Sequence, residues 1–375
     1  MPVGLRILQL ELWLVLCWIS LSACAPVPAT PTQSDRSEET APALSVPTAP
    51  QESLLRADGP LWPALDINVV VFDIGPEAGE AAPYMAVRRL ESRLLPGLFR
   101  EALVSSDQWG VVRVVPTASA LAPVNIETVI VASDGRDLTL DVKVSDVTGE
   151  EWFRLRLAYR QDEPLDNLSA LRHIFHVVSN RMREFWLSRS VAERSRLIST
   201  AGIVYALELA PDVFADYLDA ESPVLTLKRA PSSDDPMLAR VQRIKNQEYL
   251  FCDAMDEQLV ILLERAGPTY DLWRKAAVEQ ANWLDHYESI ASSRSTGPGD
   301  GEFSRMQASY SAYRSYRIQE QALLELAEAL ESESQPVVLR TEDAVITLEG
   351  TLDAQYASWR ELLKKIFLLE QGALL

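Results

Sequence analysis

The sequence of 375 residues has few of the residues and none of the short motifs by which most enzymes are recognised. It contains no Gly-x-Ser-x-Gly elbow, no His-Glu-x-x-His, no Cys-x-x-Cys, no P-loop and no dinucleotide fingerprint. Only three histidines are present, so general-base chemistry would have to rest on carboxylates. Asp253, Asp256 and Glu257 are predicted on the solvated outer face of an amphipathic helix. The residues therefore give no catalytic residue, no cofactor-binding residue and no cofactor.

Histidine and cysteine ligands for a metal are equally scarce. His173 and His176 stand three residues apart on a predicted helix and could offer a metal two ligands on one turn. No nearby cysteine or carboxylate completes such a site. The pattern favours a solvated polar face of an amphipathic helix, and we assign no metal ligand.

Positive charge is also in deficit, since 35 Lys and Arg face 54 Asp and Glu and leave a net charge of -19. A chain this acidic is repelled by nucleic-acid phosphates and by anionic lipid headgroups. The composition therefore excludes nucleic acid as a partner, and any membrane contact should be made through a lipid.

Cysteine is too rare for a disulfide framework, because Cys17, Cys24 and Cys252 are the only three. The first two lie near the amino terminus and leave Cys252 alone in the rest of the chain. A lone thiol survives best in an oxidising compartment when it is buried. The position of Cys252 at the edge of an apolar helical stripe predicts a buried structural thiol.

Long apolar runs are missing as well. Leu12 to Leu21 (LWLVLCWISL) is too short for a spanning helix, which needs about 20 apolar residues. It has the length of a signal-peptide core. No run of 18 or more apolar residues follows Cys24. We therefore expect the chain to be held at a membrane and not threaded through it.

The four residues Leu21-Ser22-Ala23-Cys24 resemble the lipobox of bacterial lipoprotein signal peptides. The resemblance implies cleavage between Ala23 and Cys24 and a diacylglycerol thioether on Cys24, followed by N-acylation with a fatty acid such as palmitate. Because Ala25 stands where an Asp would favour inner-membrane retention, it also implies the outer membrane, at the periplasmic face. The alternative is an ordinary secretory signal or an uncleaved anchor with an incidental cysteine.

Changes in composition predict four segments and one connector. These are a lipoprotein signal peptide (1–23), a disordered Pro-rich tether (24–60), an αβ docking-type domain (61–163) and a helical domain (164–375) with a flexible connector at 292–302. A tether of this length spans only about 30 Å as a random coil. That short reach favours partners near the outer membrane.

Strand and helix periods predict the fold of the αβ segment. Strands are expected at 66–73, 111–115, 128–132, 138–146 and 151–159, with one helix at 84–104 that Pro96 should kink or break. The order is β-α-β followed by a three-strand antiparallel meander.

Three phrases carry a second resemblance: Trp109 to Pro116 (WGVVRVVP), Ser133 to Leu138 (SDGRDL) and Asp146 to Trp152 (DVTGEEW). Together with the order of elements, they resemble the periplasmic domain shared by the TolB amino-terminal module, the penicillin-binding-protein activator lipoproteins and the curli-secretion lipoprotein group. The resemblance covers residues 61–159. It implies a non-catalytic module that docks other envelope proteins or oligomerises.

The remainder is predicted to be mainly helical, which makes the fold class α+β. Gly267-Pro268 should end one long helix and join it to the next as an antiparallel helical hairpin. A small carboxy-terminal β-hairpin should turn at Glu342-Asp343. Three tyrosines, Tyr310, Tyr313 and Tyr316, are expected at the edge of the core, with a docking face as the alternative.

The function expected from these features is that of a non-enzymatic, lipid-anchored envelope protein, a periplasmic scaffold, adaptor or assembly factor at the outer membrane. Its partners would be the membrane, through the lipid on Cys24, and other envelope proteins or further copies of itself. One alternative is a regulator of a peptidoglycan synthase. Another is a carboxylate-dependent envelope hydrolase, since two catalytic acids are usually distant in sequence.

Overall fold

A computed structural model describes residues 52–75, 82–162, 168–219, 223–232, 234–293, 302–332, 337–340 and 345–370. All of them belong to one compact unit, Val46–Leu375. The predicted signal peptide, most of the predicted tether and the turn at Glu342-Asp343 lie outside the described residues. Among the helices described, none is both long and apolar enough to cross a bilayer.

A five-stranded mixed sheet forms the first half of the unit. Its strands are β1 (Ile67–Val70), β2 (Val112–Val115), β3 (Val124–Ser133), β4 (Asp137–Asp146) and β5 (Glu151–Arg160), in the order β2-β1-β3-β4-β5. The β1 strand pairs in parallel with β2 and β3, while β4 pairs antiparallel with both β3 and β5. The predicted β-α-β unit and its antiparallel meander are confirmed.

The crossover helix α1 (Ala82–Ser105) runs without interruption through Pro96, so the expected break does not occur. A proline inside a helix leaves the carbonyl four residues earlier without its helical donor. Here that carbonyl belongs to Ser92, and it accepts a hydrogen bond from the backbone N–H of Phe72 at 3.1 Å. The chain that follows β1 therefore takes the bond that the proline cannot make.

The second half is mainly helical. Its helices are α2 (Ser169–Ser188), α3 (Val191–Leu209), the single-turn α4 (Pro211–Phe214), α5 (Pro236–Ser293), α6 (Glu302–Ser332) and α7 (Leu352–Glu370). Two small antiparallel ladders accompany them, β6 (Leu218–Asp219) with β7 (Thr226–Leu227), and β8 (Val337–Arg340) with β9 (Val345–Leu348). The predicted carboxy-terminal pair of strands is confirmed.

Three of the helix starts follow from their capping residues. Ser190 and Glu193 form the predicted capping box at α3. At α5, Pro236 occupies the first helical position, and the Asp235 carboxylate accepts a hydrogen bond from the backbone N–H of Met237 at 2.8 Å. At α7, the Thr351 hydroxyl accepts from the N–H of Ala354 at 3.3 Å.

The predicted helical hairpin with its turn at Gly267-Pro268 is wrong, because α5 continues through both residues for 58 residues in all. Pro268 has no N–H to donate to the Glu264 carbonyl four residues earlier. Both residues are exposed, so water can bind that carbonyl instead. On the opposite face, Ala266 and Tyr270 are fully buried. Burial on one side and solvation on the other stabilise the helix against its proline. After the connector, α6 packs along α5 instead.

Two hydrophobic clusters stabilise the unit, and α5 contributes to both. The first joins the sheet to α1, α2, the middle of α5 and α6, with Leu140, Phe175, Trp186, Trp273 and Leu323 among its buried members. The second lies at the start of α5, with α3, β8, β9 and α7, and includes Phe214, Phe251, Cys252, Trp359 and Phe367. The sheet and the helices thus share one continuous framework, and the predicted burial of Cys252 is confirmed.

The residues at 52–60, which the sequence places in the tether, lie along α2 and the end of α1. The backbone N–H of Leu55 donates to the Asn180 amide oxygen at 2.9 Å, and that of Ala57 donates to the Ser106 carbonyl at 3.0 Å. The His176 ring contacts the Glu52 carbonyl at 3.2 Å. These bonds fix the point at which the amino-terminal segment joins the folded unit.

Candidate functional site

The residues predicted for processing and lipidation, Ala23 and Cys24, lie outside the described residues. His173 and His176 are both partly buried, with ring centroids 5.1 Å apart. Burial lowers the pKa of His176 because the charged ring would lose its hydration. The described residues hold no group of three or more His, Cys, Asp or Glu side chains arranged to bind a metal.

Five carboxylates of the described residues are buried, and three of them, Glu91, Glu248 and Asp256, join separate elements of the unit. Glu91 of α1 is fully buried and accepts hydrogen bonds from the Ser133 hydroxyl at 2.7 Å and the Tyr270 hydroxyl at 2.5 Å. Arg274 donates to the same tyrosine oxygen at 3.2 Å. Burial raises the pKa of the Glu91 carboxyl, against the opposing effect of the two hydrogen bonds and of the arginine. This cluster joins α1, the end of β3 and α5.

The second carboxylate, Glu248 of α5, joins three helices. Its two oxygens accept from the Tyr205 hydroxyl at 2.8 Å and from the Tyr356 hydroxyl at 2.6 Å. The Arg360 Nε lies 3.2 Å from the oxygen that Tyr356 binds, and its guanidinium also contacts Glu208. Both tyrosines have a raised pKa, mainly through burial and secondly through the adjacent carboxylate. They therefore stay protonated and serve as donors.

The third carboxylate, Asp256, was expected on the solvated outer face of its helix, beside Asp253 and Glu257. That prediction is wrong for Asp256, which is buried, while the other two are exposed. Asp256 accepts from the N–H of Val114 at 3.1 Å and from Arg100 Nε at 3.0 Å. Burial raises its pKa to about 6. Because β2 is an outer strand of the sheet, this bond covers part of an otherwise open edge.

All three carboxylates have the environment of structural groups. Each is enclosed by side chains of two or more elements and accepts hydrogen bonds that hold those elements together. A general acid or base must reach its substrate through a cleft. Sequence reasoning missed Glu91 and Glu248, because their partners stand 42 to 179 residues away along the chain.

The exposed feature that stands out is an apolar stripe on α6, formed by Met306, Tyr310 and Tyr313. Their exposed fractions are 61%, 65% and 49%. The spacing of four and three residues places them on one face of the helix. Trp283 and Leu284, in the part of α5 nearest the connector, are also exposed. Adjacent exposed apolar side chains are typical of protein interaction sites.

The three predicted core-edge tyrosines divide between two environments. Tyr316 is buried and donates to the Glu320 carboxylate at 2.9 Å, as expected for a core position. For Tyr310 and Tyr313 the expectation is wrong, because both face solvent. Around Tyr316, α6 packs along α5. Tyr310 and Tyr313 lie one to two turns earlier in α6, where these side chains are exposed.

Comparison with known proteins does not identify the chain. No protein-family model matches the sequence, and no curated protein matches it.

Proposed function

We propose that the protein is a non-enzymatic, lipid-anchored scaffold, adaptor or assembly factor of the bacterial envelope. It is held at the periplasmic face of the outer membrane by the lipid on Cys24. The observation that carries the docking role is the apolar stripe of Met306, Tyr310 and Tyr313 on α6. Three large apolar side chains exposed on one helical face have an unfavourable hydration free energy, which burial against a partner would remove.

The environments of the buried carboxylates support a role other than catalysis. Glu91, Glu248 and Asp256 each join elements of the fold and are nearly inaccessible to solvent. A glycosidase-type mechanism needs two carboxyls that flank a substrate-sized space. These three are instead occupied by tyrosine, serine, arginine or backbone donors of the chain itself.

The partner that suits the stripe is another envelope protein with an apolar surface of its own. A second copy of the chain could bind the stripe in the same way. Tyrosine and methionine are enriched at protein interfaces, where their side chains bury much area and adapt to the opposing surface. Membrane proximity raises the local concentration of such a partner, since both would be confined to one envelope surface.

The anchor is tested by labelling cells with radioactive palmitate. The wild-type chain should incorporate label, and Cys24→Ser should abolish incorporation because the thioether cannot form. Cys17→Ser is the matched control and should label normally. Mass spectrometry of the native product should show an amino terminus at residue 24. An unmodified terminus at another residue would contradict the anchor and the localisation built on it.

The docking surface is tested separately by placing a photo-crosslinking amino acid at Tyr310. Irradiation of cells should give an adduct with a distinct envelope protein or with a second copy. The same amino acid at Ser358, which is exposed on α7, should give none. Tyr313→Ser should lower the yield at position 310. A chain that stays free of adducts at both positions would count against a scaffold role while leaving the anchor untouched.

A further inference from the structure

The two outer strands of the five-stranded sheet differ in how their edges are covered. At β2, Asp256 of α5 accepts a hydrogen bond from the Val114 N–H and so covers part of the edge. The other outer strand, β5, has ten residues without proline or glycine, and its ladder with β4 is regular from Arg154 to Arg160. A covering element, a proline or a bulge usually protects such an edge, because its unpaired backbone groups can bind another strand.

The register of β5 shows which of its backbone groups face away from β4. The Gln161 N–H donates to the Arg136 carbonyl at 3.0 Å, so these two residues form a bonded pair. In an antiparallel ladder, bonded pairs alternate with residues whose N–H and C=O groups point away from the partner strand. The residues of β5 that point away are therefore Arg154, Arg156, Ala158 and Arg160. Within the part of the chain that the structure describes, their backbone groups have no hydrogen-bond partner.

The two faces of β5 carry different side chains. On one face lie Arg154, Arg156 and Arg160, whose side chains are 59%, 49% and 55% exposed. The opposite face belongs to the first hydrophobic cluster, in which Leu157 is buried and Leu155 is partly buried. A strand added at this edge would place alternate side chains on the two faces.

The charges of β4 and β5 favour one kind of added strand. Arg156 binds both carboxylate oxygens of Asp141, and Arg160 binds both of Asp137. Both aspartates belong to β4, so acidic and basic side chains alternate from one strand to the next. Acidic residues on an added strand would continue this alternation, and the guanidinium groups keep further N–H donors for them. A second copy of β5 would instead bring arginines beside arginines, and like charges across a strand pair are destabilising.

We propose that the β5 edge binds an extended segment of a partner protein, with acidic residues at alternate positions, as an added strand of the sheet. The backbone groups of the four outward-facing residues hold the segment. Its acidic side chains lie beside the arginines, and its apolar side chains lie beside Leu155 and Leu157. Adding a strand to an open edge is a recurrent mode of peptide recognition.

The length of the open edge sets the length of the segment. At about 3.3 Å per residue, the stretch from Arg154 to Arg160 matches an extended segment of about seven residues. This edge lies on a different element from the α6 stripe, so the inference stands whether or not α6 docks a partner.

Fluorescence anisotropy tests the edge on the chain from residue 24 with Cys24→Ser. The probe is a labelled peptide of about nine residues, blocked at both ends, in which glutamate alternates with valine. A matched peptide has lysine in place of every glutamate. We expect saturable binding of the glutamate peptide, at least about tenfold tighter than binding of the lysine peptide.

Two further peptides test whether the segment binds as a strand. One has a methyl group on every glutamate nitrogen, and the other has a methyl group on every valine nitrogen. A strand at an edge uses the N–H groups of only one of these sets, because successive N–H groups point to opposite sides. One methylated peptide should therefore lose at least about tenfold in affinity, while the other should bind much like the parent.

Three variants of the protein locate the binding. Ala158→Pro removes an N–H that faces away from β4, so the ladder keeps its bonds, and binding should weaken on the order of tenfold. Ala158→Val keeps the N–H and is the matched control, which should bind within about twofold of wild type. Arg156→Glu reverses the charge beside the edge and should reverse the preference between the glutamate and lysine peptides. Thermal melting shows whether each variant is folded.

Several results would overturn the inference. These include a glutamate peptide that does not bind saturably, a lysine peptide that binds as tightly, and equal affinities of the two methylated peptides. Unchanged affinity in both Ala158→Pro and Arg156→Glu would place binding elsewhere on the molecule. A wild-type dimer that Ala158→Pro dissociates, seen by analytical ultracentrifugation, would mean that a second copy occupies the edge.

Discussion

The hydrogen bonds to Glu248 should be among the strongest single contributions to stability in the second cluster. Tyr205→Phe and Tyr356→Phe each remove one hydroxyl and leave the ring that packs around it. The hydroxyls donate to the carboxylate at 2.8 and 2.6 Å, and the carboxylate is 1% exposed, so water cannot replace them.

The expected magnitude follows from the charge of the acceptor. A hydrogen bond to a charged group contributes about 1.5–3 kcal/mol, roughly twice a neutral one. Each single variant should therefore lower the free energy of unfolding by about 2 kcal/mol. The double variant should lose more than the sum of the singles, by roughly 0.5–3 kcal/mol, because Glu248 would keep only Arg360 as a partner.

Urea unfolding followed by tryptophan fluorescence measures these differences, with Tyr310→Phe as the matched control. Its hydroxyl is on an exposed side chain, so the change should stay within about 0.5 kcal/mol. If Tyr205→Phe and Tyr356→Phe are as neutral as this control, the buried cluster does not stabilise the fold as argued. Strict additivity of the pair would refute the shared-acceptor part of the reasoning alone.

Three further changes test other parts of the structure. Gly135→Ala should destabilise the fold by roughly 1–3 kcal/mol, because the φ of Gly135 is +90° and a Cβ there would lie 2.6 Å from a methyl carbon of α5. Gly202→Ala should stabilise the fold slightly, because a Cβ there would contact no other atom. Thermal melting measures both changes. Burial raises the pKa of Asp256 to about 6 in the fold, from 3.8 for an ordinary aspartate. The folded state therefore binds the proton more tightly, and the stability from that carboxyl is lost as pH rises from about 4 to 6. Relative to wild type, Asp256→Asn should gain about 2 kcal/mol of unfolding free energy over that range, and an unchanged difference would contradict the raised pKa. In the chain from residue 24 with Cys24→Ser, Cys252 should resist iodoacetamide until urea unfolds the protein, because burial removes access and raises the pKa of its thiol. Rapid alkylation of the native protein, seen by mass spectrometry, would contradict this.

Local patterns predicted the sheet and the helix starts well. Alternation over 138–146 and the turn residues on either side are properties of neighbouring residues, and β4 spans Asp137–Asp146 as a result. The capping box of Ser190 and Glu193 likewise needs only four consecutive residues. Such patterns can be recognised in the sequence because the interactions that they indicate are made between residues close together in the chain.

The errors arose where distant residues decide the outcome. Gly267-Pro268 is a strong local stop signal, yet burial of Ala266 and Tyr270 overrides it. The exposure of Tyr310 depends on where α6 meets α5. The sequence around Glu91 does not distinguish it from a surface glutamate, because its partner Tyr270 stands 179 residues later in the chain.

The length of α5 determines what a fragment of this protein could do. At 58 residues it would measure about 87 Å, and it supplies side chains to both clusters. A polypeptide ending at residue 163 would keep all five strands but lose Tyr270 opposite Glu91 and Asp256 along β2. That excised sheet would present a bare carboxyl, an uncovered strand edge and a wide apolar face to solvent, and should aggregate when expressed alone. Experiments on the sheet therefore need a chain that includes α5.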